Sequence, residues 1–117
     1  MITKNTELGM ISIDTAVYTN IAGFAATNCF GVKGMAVRSV TDGLVHLLRK
    51  EAMGKGVHVA VNEDETVSID LHIMVDRGVN LSAICDSIIE QVSYQVTKTT
   101  GTQVRAINVF VDSINLK

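Results

Sequence analysis

The chain has 117 residues, 47% hydrophobic and 19% charged, which suits one compact core and rules against a globally disordered chain. A net charge of −2 gives no overall pull toward nucleic acid or an anionic membrane. Cys29 and Cys85 are too few and too far apart for a disulfide scaffold or a metal-type pair, and no run of about eighteen apolar residues could span a membrane.

The opening MITKNTELGM lacks the apolar core of a secretory signal. With reduced thiols as the default, the reading is a cytoplasmic protein with one domain over residues 1–117. The alternating LGMISI predicts a first strand, Leu8 to Ile13. Asp14 or Thr15 then caps a helix whose apolar stripe is Val17, Ile21, Phe24, Ala25 and Asn28. That helix is expected to end near Phe30, with Gly31 taking the left-handed conformation. A second helix is expected from Asp42, its N-cap, to Ala52. Leu44, Leu47, Leu48 and Glu51 share a face there, with Arg49 and Lys50 at the C-terminal end of the dipole.

GVHVAV, NEDET and VSIDLHIMV predict a hairpin with one apolar face. If both apolar sets share that face, Val59 opposes Ile69, Val61 opposes Val67, and His58 opposes Asp70 on the other side. Asn62 to Thr66 is the loop. A third helix runs from Asn80 or Leu81 to Thr99, with Leu81, Ile84, Cys85, Ile88, Val92 and Val96 as its core stripe and Gly101 as its stop. TQVRAINVFVDSI is the last strand, with Ile107, Val109 and Val111 on one side and Asn108, Phe110 and Asp112 on the other. The order β-α-α-β-β-α-β with one-sided stripes predicts an α+β fold. Helices would cover one face of a mixed or antiparallel four-stranded sheet in a two-layer sandwich.

No catalytic constellation stands out. His58 and His72 make a diagonal pair, His46 lies on another element, and no further ligands complete a metal set. Cys85 falls on an apolar stripe, and Cys29 sits at a helix C-terminus, the wrong end to stabilise a thiolate. Glu63, Asp64 and Glu65 are turn chemistry. The expectation is a non-enzyme without cofactor or metal.

CFGVKGMAV carries a Gly-x-x-Gly, Gly31 and Gly34 around Lys33. Between two helices this would suit a KH-type clamp on a nucleic-acid backbone. Lys33, Arg38, Arg49, Lys50 and Lys55 outnumber Asp42 and Glu51 nearby. Against that, seven residues separate Gly34 from Asp42, and residues 62–90 hold seven acids against Arg77 alone. A glycine helix stop is the commoner meaning, so no nucleic acid is expected as a partner. The other candidate is the outer sheet face, carrying His58, Asp70, His72, Met74, Asn108 and Phe110. Met74 and Phe110 are apolar there with no helix to cover them, which suits a protein-contact surface.

ISIDTAVYTNIAGFAATNCFGVKGM resembles the opening of the alkaline shock protein family, the envelope stress response proteins of Gram-positive bacteria. KGVHVAVNEDETVSIDLHIMVDRGVNLSAICDSIIEQV resembles the family's central hairpin, turn and helix. TTGTQVRAINVFVDSI is similar to its closing segment. Arg77, Thr102 and Ser113 depart from the usual aromatic, leucine and glycine, at what read as surface and turn positions. The compact length resembles the short members often encoded near dihydroxyacetone-kinase-like proteins.

The resemblance implies a non-catalytic cytoplasmic protein linked to cell-envelope homeostasis. Its partners would be itself or a membrane-anchored protein, with no direct membrane insertion, and it carries over no catalytic residues. A regulatory role toward a dihydroxyacetone-kinase-like enzyme rests on that family setting alone.

Overall fold

The computed structural model describes residues 1–38 and 43–116, the side chains at 50 and 51 apart. It is α+β, with two α-helices and a mixed sheet, in the order β1 (Ile2–Thr6), β2 (Gly9–Ile13), α1 (Thr15–Thr27), β3 (Val32–Arg38), β4 (Val45–Leu47), a 3-10 helix (Lys50–Gly56), β5 (Val57–Val61), β6 (Val67–Asp76), α2 (Leu81–Thr100) and β7 (Val104–Asn115).

The axis of the fold is β6. Its alternating VSIDLHIMVD turns Val67, Ile69, Leu71, Ile73 and Val75 inward, each 0% exposed. Full burial of one such side chain stabilises by about 1.5–3 kcal/mol, so this strand is the densest source of core energy. Strand β5 runs antiparallel to its first half with His58 opposite Asp70, Val59 opposite Ile69 and Val61 opposite Val67, the register that the apolar alternation predicts. Strand β7 runs parallel along the whole of β6 and is reached through α2, the crossover a parallel pair requires. Asn80 caps the N-terminus of α2 through Ala83 N, and Gly101 ends it at φ 74°. Ile84, Ile88, Val92 and Val96 are its buried stripe; Leu81 is exposed and Cys85 only half-buried.

Three expectations are corrected. The first strand is one arm of a hairpin, since Ile2–Thr6 pairs with Gly9–Ile13. ITKNT has no apolar alternation to reveal it, and only Ile2 at its base reaches the core. The second helix does not form at 43–52. VKGMAVR becomes β3 and Val45–Leu47 pairs with it as β4, so the main sheet has five strands rather than four, and a 3-10 helix follows at Lys50–Gly56. The cause is the length of β6: β5 satisfies its edge only as far as Leu71, and β3 pairs with Ile73 to Val75 beyond it. Asp42, the expected N-cap, lies outside the described residues, as does the side chain of Glu51.

The third correction concerns α1. Asp14 does cap it, accepting from Ala16 N, but it ends at Thr27 rather than near Phe30. Its buried face is Tyr18, Ala22, Gly23, Ala25 and Ala26. Phe24 and Val17 are exposed and Ile21 is half-buried. Small residues let the helix approach the core closely, so bulk does not mark the inward side here. Both helices share one core cluster with the odd-numbered residues of β6, which leaves the even-numbered face without a helix.

Candidate functional site

The Gly-x-x-Gly comes apart in the structure. Gly31 is left-handed at φ 88°, as expected, but it turns the chain from α1 into β3 and does not join two helices. Gly34 lies inside β3, opposite Met74, and Lys33 is exposed on the same strand. A strand residue paired on a ladder cannot serve as the tip of a clamping loop. Val32 is partly buried against the core and Met35 fully so. The motif is a glycine turn followed by a strand.

The outer face is assembled by register. His58 opposes Asp70, Asp70 opposes Asn108, and His72 opposes Phe110. Asn108 Nδ2 donates to Asp70 Oδ1 at 2.9 Å. The His72 and Phe110 rings stack with centroids 4.8 Å apart, and His58 meets His72 edge-on at 5.5 Å, the diagonal contact that the strand pattern predicts. Phe110 remains 44% exposed and Met74 is half-buried. Leu47 on β4, expected on a helix, is brought beside Gly34 and leaves 43% of its surface exposed.

Strand alternation sets Asp112 on the side of Asn108 and Phe110, but it is not among the candidate surface residues and its partner is not foreseen. Val111 opposes Ile73 but Ser113 opposes Met74, so Asp112 is an extra residue in β7. Such a bulge re-aims its side chain. The Asp112 carboxylate lies 3.0 Å from His72 Nδ1. A carboxylate can only accept, so Nδ1 carries the proton and the ring is held against Phe110. Nothing in the strand alternation announces a bulge.

Among the described residues, no group of three or more His, Cys, Asp or Glu is placed to hold a metal ion. The NEDET carboxylates are turn groups. Asp64 Oδ1 accepts from Thr66 N and Thr66 Oγ1, and these bonds hold its carboxyl below the usual range.

Burial pushes both thiols up. It is partly offset for Cys29 by a bond from Ser87 and reinforced for Cys85 by the Asp86 charge. A raised thiol pKa means less thiolate at pH 8, so both cysteines should alkylate more slowly than a free thiol. With iodoacetamide under native conditions, half-buried Cys85 should be labelled well before buried Cys29. Faster labelling of Cys29, read by peptide mass spectrometry, would contradict the packing described.

The profile of the alkaline shock protein 23 family, described as having a cell envelope-related function, matches residues 3–116. The chain is 36% identical over 112 residues to the uncharacterized protein YloU of Bacillus subtilis, covering 95% of this chain and 92% of that one. It is 34% identical over 113 residues to the uncharacterized protein Spy1614 of Streptococcus pyogenes, covering 96% and 93%. It is 31% identical over 112 residues to a stress response regulator gls24 homolog of Streptococcus pyogenes, covering 93% of this chain and 60% of that protein. No solved structure matches the chain.

Proposed function

The chain belongs to the alkaline shock protein family of Gram-positive bacteria, and from that premise we propose that it is a non-catalytic protein-contact module of the envelope stress response. The proposed docking surface is the helix-free face of the sheet. The observation that carries this reading is the His58–His72–Phe110 ring cluster. Its central ring is fixed by Asp112, and it lies on the same face as half-buried Met74 and half-exposed Leu47. Rings held rigid before binding lose little conformational entropy when a partner covers them. Aromatic anchors set among polar groups are the usual energetic centre of a protein interface.

No helix among the described residues is long and apolar enough to cross a membrane. In this reading the protein is cytoplasmic and reaches the envelope through a membrane-anchored partner or through its own assembly.

The test is capture from the native cells with the wild-type chain and the Met74→Glu/Phe110→Glu variant, followed by mass spectrometry and by sizing of the purified proteins. Both substitutions lie on the open face, so the thermal transition should hold. Partner capture or self-association should weaken at least tenfold, about 1.4 kcal/mol. Unchanged capture and unchanged assembly in a folded double variant would remove the assignment of this face.

A further inference from the structure

Strand β3 makes its last pair with β6 at Met35–Ile73, and β5 makes its first at Val57–Leu71. His72 therefore sits where one strand leaves the edge of β6 and the next takes over. The chain enters β5 through Gly56, where a Cβ would lie 3.0 Å from Ala36 O and 3.2 Å from His72 O. A residue without a side chain makes this close backbone approach easy, since any Cβ would crowd two carbonyl oxygens.

The handover opens a cleft of about 360 Å³. Arg38 from β3, Lys55 from the 3-10 helix, His58 from β5 and His72 from β6 all line it, with Asp112 from β7. Among the described lining residues, one arginine and one lysine thus face one acid, with two imidazoles beside them, in a chain whose acids outnumber Lys and Arg twelve to ten. The one acid is engaged with His72 Nδ1. Arg38 Nη1 donates to Gly43 O at 2.8 Å, which steadies the guanidinium at the rim.

We infer that this cleft binds an oxyanion, a carboxylate or phosphate group carried by a small molecule. A guanidinium and an ammonium brought together from separate elements match the charge and acceptor geometry of such a group. The imidazole of His58 can add an N–H donor to the same oxygens, while His72 spends its Nδ1 proton on Asp112. The volume lies within the roughly 300–1,000 Å³ common for small-ligand sites. Binding here does not depend on protein docking at the ring cluster, so either reading can fail without the other.

The experiment is an NMR titration of the full chain in chloride buffer, once with inorganic phosphate and once with succinate. Saturable shifts should appear at the His58 and His72 ring resonances with at least one probe. Saturation with phosphate alone, succinate alone or both identifies the oxyanion class. In Arg38→Gln/Lys55→Gln the Kd should weaken at least tenfold with the thermal transition unchanged. The single Lys55→Gln variant, at an exposed position, should weaken it severalfold if the double variant does not fold. Absence of saturation with both probes, or an unchanged Kd in a folded variant, overturns the assignment.

Discussion

Replacing Gly31 with alanine should destabilise the fold by about 2–5 kcal/mol. Two effects act together. The residue is left-handed at φ 88°, which costs an L-residue about 1–2 kcal/mol. A Cβ there would also run into Ile84 Cδ1, with Ile84 Cγ1 and Val79 Cγ1 at 3.2 Å. Ile84 is 6% exposed in the core stripe of α2 and has little room to move, so overpacking adds about 1–3 kcal/mol.

Gly34→Ala should be far milder, under about 1 kcal/mol on the scale of ordinary surface changes. Its Cβ would meet Leu47 Cδ1 at 2.9 Å, the free end of a side chain that is 43% exposed and can turn away. Urea unfolding of the two variants separates the roles. Equal losses at Gly31 and Gly34 would contradict the reading of one as a turn and the other as a strand residue.

Substituting Thr102 by leucine should also destabilise, by about 2–6 kcal/mol. Thr102 is 2% exposed, and its Oγ1 lies 2.7 Å from the hydroxyl of Tyr18, which is 0% exposed. Leucine removes the partner of a buried phenol, which costs about 1–3 kcal/mol. It also overfills a closed site, at about 1–3 kcal/mol more. Tyr18→Phe alone should lose the first of these and leave Thr102 unpaired. Thr102→Val with Tyr18→Phe removes both hydroxyls with little change of volume, so the double variant should lose less than the sum of the singles. A coupling of at least about 0.5 kcal/mol in that cycle is the expected result. Strict additivity would show that the pair contributes nothing. At the level of sequence Thr102 reads as a turn residue after Gly101. In the fold it is core, because it lies against Tyr18, 84 positions away.

The hairpin register was legible because β5 and β6 are neighbours whose apolar residues must share a face. A one-residue slip would turn Ile69, Leu71 and Ile73 outward. The predicted α2 was legible for a similar reason: its cap, its stripe and its glycine stop are all local. The candidate face followed from the same alternation, which sets His58, Asp70, His72, Met74, Asn108 and Phe110 on the side away from the core. The stretch 43–52 was not legible. Leu44, Leu47 and Leu48 fit a helical stripe, yet Leu44 is 59% exposed and Val45–Leu47 pairs with β3.

By itself, then, the sequence determined the family, the α+β class, the β5–β6 register and the ends of α2. The family follows from the resemblance of whole segments, and the rest depends on periodicity and caps within about twenty consecutive residues. Only the tertiary structure decided that VKGMAVR is a strand, that Asp112 reaches His72 and that Thr102 is buried. It also decided that Arg38, Lys55 and His58 meet at one cleft. The strand and the cleft depend on which part of the β6 edge is left unpaired, the Asp112 contact on a bulge in β7, and the burial of Thr102 on Tyr18. None leaves a mark in local periodicity, because the partner lies tens of residues away.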